Sequence, residues 1–278
     1  MTPRVSIIVP SKKGDVVALE RQLMRQSLHG WELIVRSGIA PPARARNLGA
    51  WQARGETLVF LDDDIQLGDA NLLDDLVTAL SRTAAGSAVG VRWRTPPSAS
   101  LFQRWQVAES FGDRAAAASA EARETPWDSL STSCLSMRKR AFEALGGFDE
   151  RLVSGEDAEL GYRLTRAGGR FYALAGRWIY HEPPRTFWAA ARKTVWYERG
   201  NAQVARKHPA SGYRMTLHSP WHAAGYLVLR TVLLAPLMFV QISYRHRRPR
   251  LAFRPLAALL SYIGAWAYCF GWFAEGTA

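Results

Sequence analysis

Cysteine is nearly missing from this 278-residue chain: Cys134 and Cys269 are the only two. That excludes a disulfide framework and a cysteine-rich zinc site, and it fits a reducing compartment. Negative charge is also scarce. The 24 Asp and Glu face 36 Lys and Arg, for a formal charge of +12. This excess favours phosphate-rich partners: nucleotides, nucleic acid or an anionic membrane surface. No long apolar run opens the chain. Val5 to Pro10 is too short for the core of a signal peptide, and Lys12 and Lys13 follow it. No internal repeat is visible. Tryptophan, by contrast, is plentiful at eleven residues, many of them at or after Trp178, where they could lie at a membrane interface.

Against this shortage of carboxylates, Asp62-Asp63-Asp64 stands out. The triplet follows Thr57 to Leu61, an apolar run that reads as a buried strand. Three adjacent carboxylates repel one another and are rarely buried without a partner. A strand that delivers them together is suited to a hard cation. Mg2+ or Mn2+ takes oxygen ligands, and Mg2+ is commonly held by one or two carboxylates plus substrate phosphates. The plainer alternative is a solvated acidic turn.

The surrounding pattern alternates strands and helices. Strands are predicted at Val5 to Val9, Glu32 to Val35, Thr57 to Leu61, Ala88 to Arg92 and Arg170 to Ala173. Helices are predicted at Val16 to Gln26 with Asp15 as N-cap, Pro41 to Ala53, Asn71 to Ser81, Arg138 to Leu145 and Asp157 to Ala167. Ala115 to Ala122 reads either as helix or as loop. The alternation predicts an α/β fold with a mostly parallel sheet flanked by helices, whose ligands gather at the carboxyl ends of the strands. The aspartate triplet lies at such an end. A second acidic group, Glu156 and Asp157, opens the helix that follows Gly155. Either these residues complement the helix dipole, or one is a general base that takes a proton from an attacking hydroxyl.

Taken in order, Val5-Ser6-Ile7-Ile8-Val9-Pro10, Ala45-Arg46-Asn47-Leu48-Gly49-Ala50, Leu61-Asp62-Asp63-Asp64, Gly146-Gly147-Phe148-Asp149-Glu150 and Gly155-Glu156-Asp157-Ala158-Glu159-Leu160-Gly161-Tyr162-Arg163-Leu164 resemble the inverting family-2 glycosyltransferases of GT-A fold. The resemblance covers roughly residues 4 to 185. It implies transfer of a sugar from a nucleotide-sugar donor with a divalent metal, Mg2+ or Mn2+. Asp62 and Asp64 would be the metal pair, with Asp64 the direct ligand and Asp62 nearer the ribose or the metal shell; His181 would lie near the metal and diphosphate. Asp157 would be the catalytic base, with Glu156 beside it. Pro10, Ser11, Arg44, Arg46, Asn47, Asp62 and Asp63 would line the nucleotide sugar. For three of these a structural role is equally open: Arg46 as a brace, Asn47 in a buried turn, His181 as a strand-end residue. One departure is visible. Where the family carries an acidic base-reading residue in a run such as Val-Asp-Asp-Gly-Ser, this chain has Ile34-Val35-Arg36-Ser37-Gly38. Either the donor nucleotide is unusual or the base pocket is built differently.

Composition divides the chain into a catalytic region at 1–185, a basic aromatic segment at 186–220 and a hydrophobic, membrane-associated helical region at 221–278. Phe187 to Lys207 is predicted as a long helix mixing Trp188, Trp196 and Tyr197 with Arg192, Lys193, Arg199 and Arg206, suited to an anionic lipid surface or to packing on a neighbouring domain. Two apolar stretches follow, Trp221 to Ile242 and Pro255 to Ala274, separated by Arg245-His246-Arg247-Arg248-Pro249-Arg250. A nucleotide-sugar enzyme keeps its catalytic region in the cytoplasm, so two crossings would carry these arginines outside, against the positive-inside rule. The expectation is therefore that the first stretch lies in the inner-membrane interface or re-enters and the second crosses, or else that both are interfacial, with a lipid-linked or cell-envelope acceptor and no nucleic acid; the plainer alternative is a soluble helical appendage that buries both stretches. Two other readings stay open: a nucleotidyltransferase that makes a sugar nucleotide, for which Pro10 to Asp15 is a poor glycine-rich loop, and a non-catalytic module binding anionic lipid or nucleic acid.

Overall fold

The computed structural model describes residues 2–108, 120–128, 131–233 and 254–273. The arginine-rich run 245–250, most of Ala115 to Ala122, and the ends of both apolar stretches lie outside these residues. The chain forms two compact units. The first comprises residues 1–94, 114–150 and 156–181; the second comprises 95–113, 151–155 and 182–278.

The first unit is built on an eight-stranded sheet. Its strands are β1 (Val5–Ser11), β2 (Trp31–Ser37), β3 (Thr57–Leu61), β4 (Ile65–Leu67), β5 (Ala88–Arg94), β6 (Ala122–Thr125), β7 (Cys134–Arg138) and β8 (Phe171–His181). They run in the order β2-β1-β3-β7-β5-β8-β4, with β6 also on β8. Strands β1, β2, β3, β5 and β8 share one direction, but β7 enters antiparallel between β3 and β5, and β4 and β6 are antiparallel to β8. The α/β class holds, while the pairing is mixed where a mostly parallel sheet was expected. The reason is β7, whose Cys134 to Arg138 run has no local signal that it pairs backwards.

Helices α1 (Val17–Leu23), α2 (Pro42–Gln52), α3 (Leu72–Ser81), α5 (Lys139–Ala144) and α6 (Glu156–Arg166) flank the sheet. Alternation along β1 explains the two layers. Val5, Ile7 and Val9 pack with Leu19, Leu23 and the buried leucines of α3, whereas Ile8 packs with Ala43, Ala50, Phe60 and Leu164. Phe60, Phe142 and Phe148 form an aromatic cluster in the second layer with centroids 5.1 to 5.2 Å apart. Replacing a ring buried like Phe60 by alanine costs about 3–5 kcal/mol. Asp15 does not cap α1; Val16 takes the N-cap position and no side chain bonds there.

One consequence of the shared strand direction positions the site. Ser11, Ser37, Leu61, Arg94 and His181 are the carboxyl-terminal residues of β1, β2, β3, β5 and β8 and mark one rim of the sheet. Strand β7 starts at this rim, because Cys134 pairs with Leu61, and β4 starts there, because Ile65 pairs with His181.

The second unit contains α4 (Leu101–Ala108), α7 (Phe187–Lys207), α8 (Pro220–Val232) and α9 (Arg254–Phe273). The bounds of α7 match the prediction, and Thr186 caps it by accepting from the Ala189 N–H at 3.2 Å. Among the described residues one helix, Pro255–Phe273, is long and apolar enough to cross a membrane.

Candidate active site at the carboxyl rim of the sheet

Strand β3 ends at Leu61, and the chain turns through Asp62, Asp63 and Asp64 into β4. This turn places Asp64 beside Ile65, whose partner across the ladder is His181. His181 Nε2 lies 3.4 Å from Asp64 Oδ1. Its ring meets Trp93 edge-on at 5.5 Å, which limits its orientation. Ligand atoms of Asp62, Asp64 and His181 lie within 4.8 Å of one another. The two carboxylates suit a divalent cation of the Mg2+ or Mn2+ type, and the imidazole adds one nitrogen ligand. Asp64 is largely exposed and Asp62 half-buried, so the group opens toward solvent and a substrate could complete the shell.

Asp62 is held from two sides. Its Oδ1 accepts from Arg46 Nη2 at 2.7 Å, and its Oδ2 accepts from the Ser133 hydroxyl at 2.7 Å. Arg46 also donates through Nη1 to Glu156 Oε1 at 2.6 Å. This guanidinium, 4% exposed, ties the two acidic motifs together across 110 residues of sequence. Burial alone would push its pKa down; the charges of Asp62 and Glu156 outweigh that and hold it protonated. Its Nε has no hydrogen-bond partner among the described residues.

Asp157, the next residue on α6, is half-buried, and its Oδ1 accepts from the Ala158 N–H at 2.8 Å. Burial first, and then the neighbouring charge of Glu156, raise its pKa to about 7; Arg46 pulls the other way. A carboxylate poised near neutrality is suited to proton transfer. Helix α6 is fixed by Glu159, fully buried, which accepts a forked pair from Arg163, while Arg163 Nη2 donates to the Gly147 carbonyl at 2.7 Å.

The other expected residues divide. Pro10 and Ser11 end β1 in register with Arg36 and Ser37, which places Arg36 at the same rim. Ser11 is buried, and its Oγ accepts from the Gly14 N–H at 2.9 Å, closing the loop after β1. Asp63 lies on the turn between its two neighbours. Arg44 is exposed on the first turn of α2, with its Nε 3.9 Å from Glu150. For Asn47 a ligand contact and a buried turn were both open. It is 2% exposed; its amide donates to the Phe148 carbonyl and Glu150 Oε1, and its Oδ1 accepts from the Phe148 N–H. These bonds close a buried turn. Ser133 went unnoticed in the sequence because only the antiparallel β3–β7 pairing brings it to Asp62.

The mixed sheet with flanking helices is the GT-A glycosyltransferase fold. Residues 3–198 match the family described as "Glycosyltransferase like family 2", and the chain belongs to that family. It is 32% identical over 225 residues to the O-antigen biosynthesis protein RfbC of Myxococcus xanthus, covering 65% of this chain and 17% of that one. It is 30% identical over 212 residues to the N-acetylglucosaminyl-diphospho-decaprenol L-rhamnosyltransferase of Mycobacterium tuberculosis, covering 69% and 66% respectively. The chain thus spans less than two thirds of the length of either relative. Among solved structures, the mannosyltransferase PcManGT from Pyrobaculum calidifontis, in complex with GDP-Man and Mn2+, shares the fold with a TM-score of 0.63 at 17% identity, over 99% of this chain and 89% of that one.

Proposed function

We propose that this chain is an inverting glycosyltransferase that moves one sugar from a nucleoside-diphosphate sugar to a lipid-linked or cell-envelope acceptor at the cytoplasmic face of the inner membrane. The observation that carries the reading is the chain Glu156–Arg46–Asp62: a single buried guanidinium holds the candidate base motif against the candidate metal motif. The donor class is supported by PcManGT, solved with GDP-Man. The acceptor class is supported by the names of the relatives, one acting in O-antigen biosynthesis and one on a decaprenol-linked sugar.

Asp62, Asp64 and His181 would hold a divalent cation, which when bound would set positive charge against the departing diphosphate. Arg46 and Ser133 fix both oxygens of Asp62, so the donor set needs little rearrangement. Asp157 takes the proton from the acceptor hydroxyl. That oxygen attacks the anomeric carbon on the face opposite the diphosphate, the carbon–oxygen bond to the diphosphate breaks, and the configuration inverts in one displacement. Glu156 is tied to Arg46, and its charge helps to keep Asp157 basic. The rim position of Arg36, a residue with donors only, suits a nucleobase edge that presents acceptors.

The test is a donor panel incubated with the full-length protein, Mn2+ and a lipid-linked acceptor, reading nucleoside diphosphate release. Release is expected from at least one donor, and Asp157→Asn should lower it by about 10²–10⁴-fold. Silence across the whole panel, or release of pyrophosphate in place of the diphosphate, would sink the proposal.

A further inference from the structure

Helix α9 has the length of a membrane span: 20 residues at about 1.5 Å each reach about 30 Å. Its packing argues for another placement. A Cβ on Gly264 would lie 3.2 Å from Thr194 and 3.3 Å from Glu198, and one on Gly271 would lie 2.9 Å from the Arg199 Cα. Farther along, Arg206 donates to the Trp272 carbonyl at 2.7 Å. The C-terminal half of α9 therefore lies along α7 from Thr194 to Arg206, a stretch that includes Glu198, Arg199 and Arg206. A crossing α9 would draw these charges into hydrocarbon, where charged side chains are strongly disfavoured.

The opposite faces are apolar and exposed among the described residues. On α9 the exposed stripe is Trp266, Phe270 and Phe273, spaced i, i+4, i+7. Helix α8 meets α9 through Arg230, which donates to Ser261, and through Thr231, whose hydroxyl lies 3.0 Å from that of Tyr262. The outer face of α8 carries Trp221, Val228 and Val232, with Trp221 86% exposed. Charge names the occupant. Residues 182–278 hold thirteen Lys and Arg against three Glu, a net +10 of the chain's +12. Apolar stripes in so cationic a region fit an anionic bilayer surface.

We propose that α8 and α9 attach the protein to one leaflet of an anionic membrane, lying in its interface, and that α9 does not cross. Two measurements on the full-length protein test this. In the first, Thr277→Cys and Arg82→Cys variants in sealed membrane vesicles of each orientation are treated with a membrane-impermeant maleimide. Both thiols should label from the same side; labelling from opposite sides overturns the proposal. In the second, binding to phosphatidylglycerol vesicles is compared with binding to phosphatidylcholine vesicles. Trp266→Ser, Phe270→Ser and Phe273→Ser combined should weaken binding to the former at least tenfold. Unchanged binding overturns the proposal, as does a variant that merely turns a dimer into a monomer in solution. Neither readout depends on sugar transfer, so a failure of the catalytic reading leaves this one standing and the reverse.

Discussion

At the scale of single residues, the proposed chemistry rests on Arg46 and Asp157. As the proposed base, Asp157 works only when ionised, and burial together with Glu156 raises its pKa to about 7. Lowering the pH through that value removes the working form. Turnover is therefore expected to fall about tenfold per pH unit on the acid side of neutrality, because one proton separates the active from the inactive state. The residual rate of Asp157→Asn should be flat over the same range; a wild-type profile equally flat would exclude Asp157 as the base. Arg46 carries a different burden. Arg46→Met leaves Asp62 and Glu156 facing one another without a counter-charge, and breaking a buried pair in this way costs about 3–5 kcal/mol. Both carboxylates keep some access to water, so the lower end is expected, read as a fall in the urea midpoint. Arg46→Lys should lose less, since it keeps the charge and gives up the fork.

At the scale of elements, legibility followed local periodicity. Helix α7 was readable to the residue because its run from Phe187 to Lys207 is bounded by Thr186 and by His208-Pro209. Strand β3 was equally clear, being a short apolar run followed by acids. Strand β8 was read only to Ala173, although it continues to His181. The cause is a bulge: Gly90 pairs with Ala173 and Arg92 with Trp178, so β8 has extra residues here, including Gly176 at φ +75°. The bulge interrupts the alternation that would have announced the second half. Strand β7 and Ser133 were hidden for another reason, since antiparallel insertion depends on the whole sheet and not on a window of sequence. Asp62, Asp64 and His181 were named from the sequence as a candidate metal group, whereas the link from Asp62 through Arg46 to Glu156 needed the fold. Asn47 was ambiguous in the sequence, between a ligand contact and a buried turn, and only the fold shows its clamp on Phe148 and Glu150. Asn47→Ala is expected to lower stability by about 1–3 kcal/mol by orphaning the Phe148 N–H. Donor KM should change less than twofold, and a large KM change at unaltered stability would return Asn47 to the binding site.

At the scale of the whole molecule, charge is distributed unevenly. The acidic motifs sit in the first unit, while residues 182–278 carry most of the net positive charge. Screening separates the two contributions to the proposed membrane attachment. Raising salt from about 0.1 M to about 1 M shortens the Debye length from about 10 Å to about 3 Å. Binding to anionic vesicles should weaken markedly over that range without vanishing, because the stripes on α8 and α9 bury apolar surface at any ionic strength. Flotation of vesicles across a salt series measures this; complete release at high salt would mean that the aromatic stripes stay in water.

The bulge in β8 has a bearing on how this enzyme family can diversify. The residues looped out between Ala173 and Trp178 take up differences in length between the two halves of the strand. Deleting one of them would shrink the loop-out and leave His181 opposite Ile65, where the ladder with β4 holds it. The rim group of Asp62, Asp64 and His181 is thus buffered against a change of chain length a few residues upstream.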